Sequence, residues 1–114
     1  MEKSYLTWEE FKKVDLRVGT VTKVETFPEA RNPAYKVWVD FGGDLGIRKT
    51  SAQITVLYSP EELVGKQVIG VTNFEPKQIG PFMSEFLLTG FADENNNIII
   101  ATANSTAPNG AKLI

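Results

Sequence analysis

The sequence predicts an all-β fold, a small barrel of about five strands with short helices. Apolar residues alternate along several segments that are separated by glycine-, proline- and asparagine-rich turns. Only two short segments carry helix-start signals, and the second of these lies midway among the strands. A five-stranded OB barrel, with a helix between its third and fourth strands, has this order of elements.

The first helix is predicted from Trp8 to Lys13, after the capping box Thr7-Trp8-Glu9-Glu10. The first strand follows, with Val14, Leu16 and Val18 in alternation before the apolar positions change parity. Gly19 is the predicted bulge or bend, because glycine in a strand often marks one.

The second strand is predicted where Tyr35, Val37, Val39 and Phe41 alternate with polar residues and Trp38. The turn at 42–44 then favours a hairpin return over 47–54. The second helix begins at Ser59-Pro60 and ends at Gly65. Further strands are predicted in four segments: 67–74, 85–91, 98–101 and 112–114.

The composition excludes several classes of function but does not identify the function. The 114 residues, which we expect to form one domain over 1–114, include no His and no Cys. Disulfides, thiolate or imidazole metal sites and Ser-His nucleophiles are therefore excluded, and we expect a protein that is not an enzyme and needs no metal or cofactor. The net charge of −2 gives no overall signal for nucleic acid.

The sequence carries no transmembrane signal. No apolar run approaches the ~20 residues of a membrane span. The first five residues, Met1 to Tyr5, include an acid and no apolar core, so we expect no signal peptide and a cytoplasmic location without membrane insertion.

The segment 73–85 is the strongest candidate for a binding site. We interpret it as a strand end, a loop with two prolines and a strand start, and it holds Phe74, Ile79, Phe82 and Met83. Large apolar residues on a surface loop mark interaction sites, and methionine suits varied partners. The alternative is that Ile79 and Phe82 only close one end of the barrel.

A second cluster is basic. Between residues 31 and 53, four basic residues accompany two acids, and Tyr35 and Trp38 are interleaved with them. Charge beside aromatic rings on a barrel face is how OB folds hold single-stranded nucleic acid. The alternative is a solvated sheet face with Tyr35 in the core. The polar run 49–53 could likewise line a pocket or form a plain polar face.

Several motifs together resemble the tRNA-binding domain family of OB modules. They include 15–19, 60–66, Asn73-Phe74, Lys77 and Ser84-Glu85. Within it, the segments 27–34, 51–55, 78–85 and 108–110 are similar to CsaA-type export chaperones. The resemblance runs from about residue 8 to the C-terminus.

The resemblance implies a cytoplasmic homodimer of OB barrels with a C-terminal dimerisation extension. It also implies binding of unfolded precursor proteins for export, in association with the export machinery. The dimer-interface candidates are Trp8, Phe11 and Leu113. The peptide-site candidates are Ser51, Gln53, Asn73, Phe74, Ile79, Phe82, Met83 and Ser84.

RNA binding is the alternative function, with tRNA as ligand. Its candidates are Arg31, Tyr35, Lys36, Trp38, Lys49 and Lys77. Two departures from the tRNA-binding pattern favour peptide: Phe86-Leu87 after Ser84-Glu85, and Arg31-Asn32-Pro33-Ala34 in place of a lysine-containing run. We expect weakly specific binding of apolar, basic peptides.

Overall fold

The computed structural model describes residues 4–114. Met1–Lys3, on which part of the signal-peptide expectation rests, lie outside the described residues. None of the helices in residues 4–114 is long and apolar enough to cross a membrane. The elements in chain order are α1 Trp8–Lys12, β1 Leu16–Thr26, β2 Tyr35–Asp40, β3 Ile47–Ala52, α2 Pro60–Leu63, β4 Gln67–Val71, β5 Lys77–Ile79, β6 Phe82–Ser84, β7 Leu87–Leu88, β8 Gly90–Ala92 and β9 Ile98–Ile100.

Five strands form the main sheet in the order β3-β2-β1-β4-β7, and every neighbouring pair is antiparallel. The sheet curls so that its edges, β3 and β7, approach each other, which gives the nearly closed OB barrel that the sequence predicts. Val37, Val39, Phe41, Leu63 and Val68 are fully buried inside it. The predicted alternation of β2 is therefore confirmed, with Lys36 and Trp38 on the outer side.

Both helix starts have the predicted capping boxes. The Thr7 hydroxyl accepts from the Glu10 N–H, and the Thr7 N–H donates to the Glu10 carboxylate. Ser59 and Glu62 make the same pair of hydrogen bonds ahead of α2. These bonds satisfy backbone groups that a helix end leaves free.

The bulge prediction at Gly19 is wrong. The register of β1 against β2 shifts between Val21 and Lys23, so the extra residue is Thr22. Gly19 is needed for another reason, because a Cβ there would overlap the Val39 side chain and lie 2.8 Å from the Phe41 ring. The inner side of β1 passes from Val21 to Val24 across Thr22, and Gly19 marks a close approach of β1 to β2.

The segment 73–85 is not a single loop. Lys77–Ile79 and Phe82–Ser84 pair as the antiparallel hairpin β5–β6, which turns at Gly80-Pro81 with a positive φ of 57° at Gly80. The proline-rich sequence suggested a loop because each strand has only three residues. The predicted strand 85–91 is likewise divided into β7 and β8 at Thr89.

The C-terminal segment runs back beside the start of β1. The Val18 N–H donates to the Ala111 carbonyl, and the Leu113 N–H donates to the Leu16 carbonyl. Lys112 forms an isolated bridge with Arg17 in place of the short strand predicted over 112–114. The chain end is thereby held against the strand that follows α1.

Candidate functional site

The barrel is fastened at one point between β3 and the residues before β7. The Lys49 N–H donates to a carboxylate oxygen of Glu85 (3.0 Å), and the Glu85 N–H donates to the Lys49 carbonyl (2.8 Å). The buried Thr50 hydroxyl donates to the Phe86 carbonyl (2.6 Å). The polar run at 49–51 therefore closes the barrel, a role that its sequence does not reveal because both partners lie more than thirty residues away.

Beyond this fastening, the strands leave an open groove of about 1150 Å³. One wall is the end of β3 and residues 53–54, and the other is residues 86–90. Its floor is apolar, and Phe86 and Ile54 there are buried. Its rim carries Arg31, Lys77 and Glu75. A concave apolar site with a few polar groups at its edge is the usual form of a ligand site.

Five of the predicted peptide-site residues line this groove: Ser51, Gln53, Phe74, Ile79 and Ser84. Phe74 is 60% exposed, and Leu87, which the sequence analysis did not select, is 51% exposed. Part of this set is already engaged, because the Ser84 hydroxyl accepts the Ser51 N–H (2.9 Å).

Three predicted peptide-site residues lie elsewhere. Asn73 joins two elements, since its side-chain oxygen accepts the Asp15 N–H and its NH₂ donates to the Lys13 carbonyl. Phe82 is buried on the outer side of the sheet, in a small cluster with Phe27. Met83, the next residue, is 40% exposed but does not line the groove.

A basic surface lies on the outer side of β1–β3, and we define it as Lys23, Lys36 and Lys49 around Trp38. The Lys23 ammonium is 4.6 Å from the Trp38 ring centroid. The Lys36 and Lys49 ammonium groups are 5.5 and 5.0 Å from the Phe82 ring centroid. The sequence analysis did not select Lys23 as a ligand-binding candidate, because it precedes the basic run at 31–49. The pairing of Lys23 with Trp38 between β1 and β2 places it on the basic surface.

The other RNA candidates are dispersed. Tyr35 faces the core and its hydroxyl donates to the Tyr58 carbonyl (2.9 Å), so it cannot stack on a base. Arg31 and Lys77 lie at the groove, not on the basic surface. Two cations at the groove rim do not favour the basic peptides expected from the sequence, because like charges repel.

The dimer-interface candidates are exposed apolar residues on α1 and on the C-terminal segment. Trp8 is 80% exposed, and Leu113 lies beside Leu16 at the start of β1. Phe11 is on the same short helix as Trp8 and is 37% exposed. Exposed apolar residues in such number are typical of an interaction surface.

The carboxyl groups of Asp15 and Glu10 have lowered pKa values, and the hydrogen bonds that lower them hold the fold together. The hydrogen bond from Arg17 (2.9 Å), with a smaller one from Thr72, lowers the pKa of Asp15, although partial burial opposes them. Hydrogen bonds from Thr7 lower the pKa of Glu10. Within residues 4–114, no group of three acidic side chains is placed to hold a metal ion.

The chain is similar to a known domain family and to several solved structures. A family model described as a putative tRNA binding domain matches residues 16–112. A crystal structure of the chaperone CsaA from Bacillus anthracis is 43% identical, with a TM-score of 0.91, over 97% of this chain and 100% of that one. A CsaA chaperone structure from Picrophilus torridus is 40% identical, with a TM-score of 0.89, over 96% and 100%.

Curated relatives include much longer proteins. The methionine–tRNA ligase of Pyrococcus furiosus is 36% identical over 109 residues, which is 96% of this chain and 14% of the ligase. The Listeria innocua enzyme is 38% identical over 92% of this chain and 15% of the enzyme. The chain thus spans about one seventh of the length of these relatives.

Proposed function

We propose that this chain, which belongs to the putative tRNA-binding domain family by a match over residues 16–112, is a binding protein for unfolded polypeptide. In this proposal it acts as a homodimeric, cytoplasmic chaperone that binds preproteins for export, without catalytic activity. The observation that carries the proposal is the open groove of about 1150 Å³, with Phe74 and Leu87 exposed at its edge.

The groove suits a polypeptide better than a small polar ligand. Its volume exceeds the usual upper range of small-molecule sites, about 1000 Å³. Large apolar side chains on its rim can take up the apolar residues that an unfolded chain exposes. Likeness to two proteins named as CsaA chaperones over nearly their full length supports this choice.

A homodimer would strengthen weak binding. Trp8 on α1 is exposed, and so is Leu113, whose N–H donates to the Leu16 carbonyl at the start of β1, so both are available to a second copy of the chain. Two grooves on one dimer would hold a long unfolded chain by avidity even if each groove binds weakly. Export machinery is then a partner to which loaded clients are passed.

The direct test uses a fluorescently labelled protein that is reduced and carboxymethylated so that it stays unfolded. We expect saturable binding in fluorescence anisotropy and about tenfold weaker binding by Phe74→Ala, since apolar anchors dominate such sites. Met83→Ala is the matched control because Met83 is exposed nearby but lies off the groove. Equal losses in both variants, or no binding by the wild type, would reject the proposal.

tRNA is the second candidate ligand, and the basic surface is the observation that favours it. The Lys23 ammonium lies over the half-buried Trp38 ring. The Lys36 and Lys49 ammonium groups lie over the buried Phe82 ring beside it. Phosphate contacts release counterions, so binding would weaken steeply with salt. In gel-shift titrations of tRNA, each lysine-to-alanine change should reduce the salt slope by about 1. A titration without any shift at low salt would exclude this ligand.

A further inference from the structure

Phe74, at the edge of the groove, lies in the short segment that joins β4 to β5. Its side chain is 60% exposed, and its backbone forms a bend. Within residues 4–114, residues 74–76 take part in no backbone–backbone hydrogen bond. The position of Phe74 therefore depends on how the two ends of this segment are held. One end is held by β5, which pairs with β6 from Lys77 onward.

The other end is fastened to the junction between α1 and β1. The Asn73 side-chain oxygen accepts the Asp15 N–H (3.0 Å), and its NH₂ group donates to the Lys13 carbonyl. The Thr72 N–H donates to the Asp15 carbonyl (2.9 Å), and the Thr72 hydroxyl donates to the Asp15 carboxylate (2.8 Å). We call these hydrogen bonds between residues 72–73 and residues 13–15 the clamp.

The α1–β1 side of the clamp is itself held in place. The Val14 N–H donates to the Phe11 carbonyl at the end of α1 (3.0 Å). The Arg17 side chain donates to the Asp15 carboxylate (2.9 Å), and β1 pairs with β4 from Leu16 onward. Connected hydrogen bonds of this kind restrict every group that takes part in them. Residues 13–15 are therefore a fixed support for the chain where it leaves β4.

We propose that Asn73, together with Thr72, is a positioning residue for the groove and holds segment 74–76 so that the Phe74 side chain is presented to the client. The inference rests on the proposed function and specifies what places its apolar anchor. Asn73 does not line the groove, so it acts through Phe74 and not by contact with the client. A side chain that is already placed before binding costs less entropy to order in the complex.

The contribution of Phe74 limits the size of the effect. Because the clamp acts through that side chain, its loss weakens binding by no more than the tenfold expected for Phe74→Ala. Ordering one side chain on binding corresponds to about two- to twelvefold in affinity. We therefore expect Asn73→Ala to bind the unfolded, carboxymethylated protein about fivefold more weakly in fluorescence anisotropy.

A double-mutant cycle between Asn73 and Phe74 tests whether one acts through the other. Once Phe74 is replaced by alanine, Asn73→Ala should change the affinity by less than about 1.5-fold, because the side chain that it places is gone. A residue that only stabilised the barrel would weaken binding by the same factor in both backgrounds. That result overturns the inference, and so does an Asn73→Ala variant that binds as tightly as the wild type.

The chain offers matched variants on and off the clamp, which also serve if Asn73→Ala does not fold. Thr72→Ala and Thr72→Ser differ only in the hydroxyl that donates to Asp15, so alanine should bind about twofold more weakly than serine. Asn109→Ala removes an oxygen that accepts from the Thr20 hydroxyl (2.7 Å), at a residue off the groove, and should leave the affinity unchanged. Equal binding by the two Thr72 variants, or a fivefold loss in Asn109→Ala, would contradict the clamp.

A measurement without any client separates this inference from the proposed function. In protein labelled with para-fluorophenylalanine, the fluorine NMR resonance of Phe74, assigned with Phe74→Leu, reports the surroundings of its ring. Asn73→Ala should shift this resonance and leave that of the fully buried Phe41 in place. An unshifted Phe74 resonance overturns the inference, while client binding that depends on Phe74 would still support the proposed function. Equal client binding by the wild type and Phe74→Ala would instead reject both.

Discussion

Replacing Phe82 by alanine should destabilise the protein much more than replacing its neighbour Met83. The two residues are adjacent in β6 and point to opposite sides, so Phe82 is 6% exposed and Met83 is 40% exposed. The Phe82 ring lies 5.4 Å from the Phe27 ring and 6.2 Å from the Trp38 ring, measured between centroids. It is the side chain that packs the hairpin β5–β6 onto the outer surface of the barrel.

The magnitude follows from burial. Truncation of a buried phenylalanine costs about 3–5 kcal/mol. The cluster around Phe82 has only three buried members and can partly collapse, so we expect about 3 kcal/mol. For a domain of this size that loss lowers Tm by about 12 °C. Met83→Ala should cost less than about 1 kcal/mol, because much of its side chain already meets water.

Urea unfolding followed by circular dichroism, at one fixed protein concentration, measures both variants. Fixed concentration matters because dimerisation would make the apparent stability concentration-dependent. Phe82→Leu serves as the control that retains most of the apolar volume and should recover more than half of the loss. Equal destabilisation by the alanine variants at Phe82 and Met83 would refute the packing argument.

Three further predictions concern the barrel itself. Gly19→Ala should cost about 1–3 kcal/mol in urea unfolding, because the new methyl group would overlap the Val39 side chain; a smaller cost would contradict the close approach. Asp15→Asn should cost about 1 kcal/mol at neutral pH. The hydrogen bond from Arg17 lowers the pKa of Asp15 in the folded state. Its contribution to the free energy of unfolding is therefore present above the unfolded pKa of about 4 and is lost as pH falls through the lowered folded pKa. A stability difference between wild type and Asp15→Asn that does not change with pH would exclude this origin. Thr50→Val should cost about 1–2 kcal/mol and speed hydrogen exchange beside the groove, since a buried carbonyl loses its donor; unchanged exchange would contradict the role of that hydrogen bond.

The sequence predicted the parts of the fold that depend on local periodicity. The alternation of β2 follows from its sequence and the two helix starts follow from their capping residues, whereas the position of Tyr35 was left open between a nucleic-acid face and the core. The bulge was misplaced because a glycine in a strand has two explanations, a bulge or a close contact. Only the neighbouring strand distinguishes them, and here Val39 does so.

The candidate site was less predictable because it depends on contacts between distant segments. From the sequence, Ser51 and Ser84 were predicted to be free to bind a ligand. In the structure the Ser51 N–H donates a hydrogen bond to the Ser84 hydroxyl where the barrel closes. Phe82 and Met83 look equivalent, and only the pairing of β5 with β6 separates them. Lys23 joins the basic surface through the register of β1 against β2, which a bulge shifts by one residue.

The hairpin β5–β6 borders both candidate surfaces, and this determines which experiments can assign a ligand. Lys77 and Ile79 line the groove, whereas the Phe82 ring lies beneath the Lys36 and Lys49 ammonium groups of the basic surface. Loss of Phe82 would therefore disturb peptide and tRNA binding alike. A change at Phe74 alters only the groove, and a change at Lys23 alters only the basic surface, since each lies outside the packed hairpin. A ligand that responds to one of these two changes and not to the other is thereby assigned to one surface.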